Sequence, residues 1–256
     1  MINCVRNPDG SPKVYREPKR DEFGESFKSL EYKARGNVYG DFIGVRIDGK
    51  AFHTFTKGFE KPFDSEITEA MDFAVYNLCG NSDIPVVFAY TQSDEISLLL
   101  RGTGWFHDTQ KISSIVAAYT TAFFNRELQT AKPAVFDARV FSLKREEVVD
   151  YFKWRKMDAN RNAISAVAQS LYSHNELQSK NKGELLGMIG AKSPESLPIP
   201  DRNFNGAYFY PIMQPMPVEY FDKRTQRIES TVAQRRVWYR ETDNGMLDYI
   251  VNHVVN

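Results

Sequence analysis

In DFIGVRI (41–47), Ile43, Val45 and Ile47 fall two apart with smaller or polar residues between them, the period of a half-buried strand. From Ser65 the period lengthens. Ile67, Ala70, Met71, Ala74, Val75 and Leu78 recur at helical spacing, with Asp64 or Ser65 as N-cap and Gly80-Asn81 as the stop. VVFAY (86–90) and ISLLLR (96–101) read as two strands joined through TQSDE. Ile112, Ile115, Val116, Tyr119, Ala122 and Phe123 mark a second amphipathic helix, and AVFDARVFSL (134–143) returns to strand. The order β-α-β-β-α-β predicts an α+β fold of ferredoxin-like type. In that topology the first and third strands are central, antiparallel neighbours, so the end of one lies beside the start of the other.

Three regions follow from the pattern. Residues 1–30, rich in Pro, Gly and charge, predict an irregular N-terminal arm, and residues 31–143 the core. Residues 144–256 predict a helical and strand elaboration packed on that core. It comprises a long helix in KREEVVDYFKWRKMDANRNAISAVAQSLY, a small one in KNKGELLGMIG, a strand in NGAYFYPI (205–212) and a basic, surface-exposed tail over 222–243.

Composition narrows the classes. The 256 residues are 42% hydrophobic and 26% charged, enough for one large domain with an elaboration. No apolar run approaches the ~18 residues of a membrane helix, and the N-terminus has no apolar signal region, which predicts a cytoplasmic protein with no membrane partner. Cys4 and Cys79 are too few for a disulfide framework or a Cys-rich zinc site. The formal net charge of zero confines any nucleic-acid contact to local patches.

The predicted topology brings chemistry together. Asp48 and Gly49 end the first strand, and Asp94 and Glu95 begin the third. Carboxylates on adjacent strand ends suit two hard divalent cations, and magnesium takes a few carboxylates plus phosphate oxygens. Such a pair of ions supports nucleotidyl transfer. Gly49 lets the backbone approach a metal or phosphate closely, and Arg46, Lys50, Lys57 and Lys61 supply charge to neutralise a triphosphate. Taken alone, Asp-Gly after a strand is a solvated turn; with SDE placed opposite, the metal site is the better reading. His53, between Phe52 and Phe55, is either a phosphate contact or a packed ring. His107, His174 and His253 lack metal-ligand spacing. Ser93 lacks the partners of a nucleophile, and Lys111 opens the second helix within reach of phosphate. Lys153, Trp154 and Arg155 read either as an RNA contact or as a charged helix face with one aromatic anchor.

RIDGKAFHTFT, KPFDS, AYTQSDEISLLL, FDARVF and DYFKWRKMDANRNAI, in this order, resemble the tRNA(His) guanylyltransferase family and its guanylyltransferase-like relatives over about residues 41–210. The resemblance implies a polymerase-type palm domain that adds nucleotides to the 5′ end of tRNA after ATP activates that end. It implies two magnesium ions, ATP and GTP as substrates, tRNA as partner and a homotetramer. Asp48, Asp94 and Glu95 would be catalytic, and Asp48, Gly49 and Asp94 the metal ligands. Arg46, Asp48, Gly49, Lys50, Ala51, Phe52, His53, Lys61, Ser93, Asp94 and Lys111 would hold the nucleotide, and Lys153, Trp154, Arg155 and Asn162 the RNA. Two positions depart from the family: Phe63 stands where a polar Asn is frequent, and Asn160, Arg161, Asn162 and Ala163 replace a His-Ile-Asn-Asn block. The second departure favours template-dependent 5′-end repair over addition of a single G. A cyclase-like enzyme on free nucleotides and a noncatalytic RNA-binding module are the weaker alternatives.

Overall fold

The structure is a computed structural model of the chain, and it describes residues 36, 38, 40–101, 108–242 and 245–255. The chain divides into two units at Gly36–Asn37, and the second carries the described elements. The expected arm over 1–30, with Cys4, lies outside the described residues, as does His107.

Strands β1 (Phe42–Gly49), β2 (Val86–Gln92), β3 (Glu95–Arg101) and β4 (Phe136–Leu143) alternate with helices α2 (Ser65–Gly80) and α3 (Thr109–Leu128) in the expected order. A one-turn helix, α1 (Phe52–Phe55), is inserted after β1. Two further strands, β5 (Ala207–Asp222) and β6 (Arg227–Glu241), complete a six-stranded sheet in the order β4-β1-β3-β2-β5-β6. Every pairing in it is antiparallel.

Here the structure corrects the sequence. The strand expected over 205–212 is only the root of β5, and the expected tail over 222–243 is mostly β6, paired with β5 from Tyr208–Glu241 to Asp222–Arg227. Beyond its root this ribbon has solvent on both faces, so no buried side imposes a period of two. Trp238 is its one buried residue past Phe209 among those described.

The sheet is covered on both sides. On one, Ile43, Val45, Ile47, Ile96, Leu98 and Leu100 pack against Ala70, Met71, Val75 and Leu78 of α2 and Ile112, Val116 and Phe124 of α3. Asp64 caps α2 by accepting from Ile67 N, as expected. The buried stripe of α3 runs through Thr120 and Phe124, while Phe123 is only half-buried and Ala122 is exposed. On the other side, α4 (Val148–Leu171) lays Val148, Phe152 and Ala159 over Phe42, Phe88 and Leu99. The C-terminal turns, α8 (Met246–Tyr249) and the π-helical Ile250–Val255, add Met246, Ile250 and Val254. The far half of α4 builds a third cluster from Ala163, Ile164, Val167 and Ala168 with Ile189 of α6 (Lys182–Lys192); α5 (His174–Leu177) precedes it and α7 (Asp201–Asn205) follows. Among the described residues no helix is long and apolar enough to cross a membrane. Cys79 is a buried free thiol, and burial pushes its pKa up.

Candidate active site

The strands of the α4-covered face end in charge. Residues two apart share a face of a strand, so Phe42, Gly44, Arg46 and Asp48 of β1 all belong to this side. In register, Asp48 lies between Glu95 of β3 and Asp137 of β4, and one row inward Arg46 lies between Ser97 and Arg139. Three carboxylates therefore cross three strands, with two arginines behind them.

Asp94 joins them from a two-residue turn between β2 and β3. Ser93 holds φ 53° there, a conformation non-glycine residues seldom adopt, and donates from Oγ to Asp94 Oδ1 at 3.1 Å. Gly49 is required opposite. A Cβ on it would come 3.0 Å from Asp94 Oδ2 and 2.3 Å from the Phe52 ring. The Phe52 ring is buried beneath this point with Phe55, Phe124 and Phe136. Burial raises the Asp94 carboxyl above its ordinary range, and the Asp48 charge adds to that. Burial pushes Glu95 up to about 6, opposed first by Arg155 and then by Arg46, and reinforced by Asp48.

Two crowded carboxylates whose ionised forms disfavour each other suit a divalent cation. Among the described residues no cluster of three acidic, His or Cys side chains is poised as a metal cage. Asp48 and Asp94, with the adjoining Gly49 carbonyl, could offer such an ion oxygens only. That is the partial set magnesium accepts when water and phosphate fill its other positions.

Beside this edge opens a cleft of about 360 Å³, lined by Phe52, His53, Lys61, Phe63, Ser93, Asp94 and Asn162 among others. His53 is exposed in it, so the packed-ring reading fails. Lys61 is exposed too and donates to Thr56 Oγ1 at 3.2 Å. Phe63 lines the cleft and packs on the third apolar cluster as a hydrophobic anchor. Lys50, Ala51 and Lys111 are exposed and Arg46 is half-buried; none of the four lines the cleft. Ala51, at φ 52°, caps α1.

The four residues expected to contact RNA do not form one surface. Lys153 is exposed beside Asp150. The Trp154 ring is covered by Arg155 at 4.1 Å and approached by Arg46 at 6.0 Å. Arg155 is 4% exposed and offers RNA no face, a correction to the expectation. Its Nε lies 2.9 Å from Glu95 Oε1, off the direction of a hydrogen bond, and its Nη2 donates to Asp158. Asn162 lies two turns further along α4 and lines the cleft.

Sequence reasoning missed several residues. Asp137 was within reach, since antiparallel pairing of β1 with β4 fixes it opposite Asp48. Thr56, Glu60 and Gln92 line the cleft without a signal, as does Arg202, held by a bidentate pair with Asp72 that Arg240 joins. Asn160 donates to Phe204 O and so ties α4 to the segment that closes the cleft.

Residues 24–144, which hold the acidic row, match the family described as tRNAHis guanylyltransferase. The Saccharomyces cerevisiae tRNA(His) guanylyltransferase is 29% identical over 137 residues, 48% of this chain and 58% of that one, so the match spans less than two thirds of the yeast protein. A bacterial tRNA(His) guanylyltransferase (Thg1)-like protein in complex with ATP superposes with a TM-score of 0.72 at 27% identity, over 91% of this chain and 97% of the other. Its complex with GTP gives 0.68 at 28% identity, over 92% and 98%. The family match falls on the strands that build the acidic edge, and the structural likeness extends through the elements that close the cleft. Over residues 24–144 the chain is thus similar to the tRNA(His) guanylyltransferase family, whose members are nucleotidyltransferases.

Proposed function

We propose that this protein is a magnesium-dependent nucleotidyltransferase that adds nucleotides to the 5′ end of tRNA, on a polymerase-type palm, as a templated repair activity. The observation that carries the reading is Asp94, which lines the cleft and is set against Gly49, with Asp48 beside it on the strand end just outside the cleft lining. Glu95 is engaged by Arg155, which leaves Asp48, Asp94 and the Gly49 carbonyl to hold the two ions. Bound there, magnesium would supply charge neutralisation at the reacting phosphate and a more acidic attacking hydroxyl. Lys61 and His53, exposed along the cleft, neutralise and orient the triphosphate. Ser93 keeps the Asp94 carboxylate aimed. The 3′-hydroxyl of an incoming nucleotide attacks the 5′ phosphate and displaces AMP where ATP has adenylylated a monophosphate end, or pyrophosphate where that end is a triphosphate.

Repair is favoured over addition of a single G by the 160–163 segment. Asn160 and Arg161 are engaged with Phe204 and Asp158, so of this segment only Asn162 and the buried, apolar Ala163 line the cleft, and Asn162 alone brings it a polar side chain. The binding-module alternative lacks its platform, since helices or C-terminal turns cover both faces of β1 and β3. Cytoplasmic location and assembly into a homotetramer belong to the same proposal; light scattering tests the second. The deciding experiment offers magnesium, ATP and all four nucleoside triphosphates with two RNAs, a full-length histidine tRNA and a tRNA lacking its first nucleotide. Templated extension of the truncated RNA is expected; extension of the full-length histidine tRNA alone, by one G, would replace repair with the single-addition activity.

A further inference from the structure

At the opposite end of β2 from the acidic edge lies a second cavity, of about 370 Å³, which the chemistry above does not use. Val87 lines it and Gln92 lines the catalytic cleft. At about 3.3 Å per residue the two are roughly 17 Å apart along the strand. The walls combine two kinds of group. Arg101, at the end of β3, and Arg236, on β6, bring guanidinium groups, and both residues are exposed. Among the described residues neither pairs with a carboxylate; Arg236 makes one long contact, 3.5 Å, to Val86 O. The other kind is aromatic. Tyr249 and His253 line the cavity with their rings stacked, 4.5 Å apart and 12° from parallel, and behind them Tyr210 and Tyr239 continue the row as tilted neighbours at 4.6 and 6.0 Å. Tyr249 is fixed by donating from its hydroxyl to Pro211 O at 2.8 Å. His253, the outer member, is exposed.

A stacked tyrosine–imidazole pair whose outer ring is exposed, beside two guanidinium groups, is matched to a nucleotide. The base continues the stack and the phosphate sits between the arginines. We propose that this cavity is a second nucleotide-recognition site, and that it binds a nucleotide unit of the RNA substrate outside the catalytic cleft. The 17 Å offset suits RNA, because a single molecule that reaches both places must be a polymer. The inference rests on the reading of an RNA substrate.

The test compares wild type with Arg101→Ala/Arg236→Ala and with His253→Ala. All three side chains are exposed, so the variants should fold, and circular dichroism verifies it. Fluorescence anisotropy with labelled tRNA is recorded across a salt series. The double arginine variant should bind about tenfold more weakly and lose roughly one from the slope of log K against log salt. His253→Ala should lose about fivefold or more, the low end for one stacked base. GTP binding, measured with magnesium in the same proteins, should not change. If GTP binding also falls in the variants, the site takes a free nucleotide and the RNA assignment is overturned. Unchanged tRNA and GTP affinities, or a wild type that binds neither at this site, overturn the proposal outright. Failure of the broader reading is seen separately, as wild-type protein that binds tRNA and does not extend it.

Discussion

Asp94 and Glu95 stand next to each other and solve opposite problems. Glu95 keeps its charge company through Arg155, while Asp94 has only a serine hydroxyl and its own backbone amide against the cost of burial. The sign of the pH dependence follows. In metal-free protein the unfolded Glu95 carboxyl titrates near 4.5 and the folded one at about 6, so the folded state binds the proton more tightly in between. The associated stability is fully present below 4.5 and lost as pH rises through about 6, an effect of roughly 2 kcal/mol. Asp94 acts in the same direction. Magnesium held by Asp48 and Asp94 would favour their ionised forms and so offset part of this loss. Melting curves with and without magnesium should therefore show a larger gain at about pH 7.5 than at about pH 5, near 1.4 kcal/mol at tenfold excess over Kd. Asp94→Asn should abolish the gain; an equal gain at both pH values would remove Asp48 and Asp94 as ligands.

Among the helices, α4 is where the sequence predicts it, but the face it presents is not the one expected. KWRK resembles a solvated basic face, and composition alone cannot separate an arginine that faces water from one inserted under a tryptophan. The signal lies elsewhere. Asp158 stands three residues after Arg155 and three before Arg161, so one carboxylate meets both guanidinium groups on successive turns. Arg155 thus pins α4 to the first residue of β3. Removing one member of a buried pair leaves the other uncompensated, at a cost of roughly 3–5 kcal/mol. Arg155→Met should destabilise by about that much, and adding Glu95→Gln should restore a large part of it. Urea denaturation of the two single variants and the double variant measures the coupling; simple additivity would show that the ion pair does not link helix to sheet. By contrast β1–β4, α2 and α3 were legible, because each buries one face or stripe and writes its period into the sequence. The meeting of Asp48 with Asp94 was legible only through the topology those periods imply. Asp137 was legible in the same way and still missed, since FDARVF looks like an ordinary alternating strand.

For the whole molecule, the core and the β5–β6 ribbon stand on different footings. Ala207, Tyr208, Phe209 and Trp238 root the ribbon in the sheet, and only Ala207–Phe209 pair with β2. Past that root, Ile212, Met213, Met216, Tyr220, Phe221, Ile228 and Val232 are exposed, so they contribute little burial to the fold. Pro211, Pro215 and Pro217 have the same parity along β5, so their missing N–H groups fall on one edge. Since β6 pairs with β5 throughout, that edge is the outer one, and the prolines block a further strand from adding there. A ribbon of two strands is marginal by itself and does not hold the domain together. Met213 and Arg236 are directly paired, so residues 214–235 can be replaced by Asn-Gly, the two-residue turn suited to hairpin twist. Because Trp238, Arg236 and the β2 pairing are kept, stability should fall by less than about 1 kcal/mol, a shift in Tm within roughly 4 °C. Differential scanning calorimetry checks this. A single cooperative transition near the parent Tm is expected, whereas a broadened or lost transition would show that the ribbon is part of the folding unit.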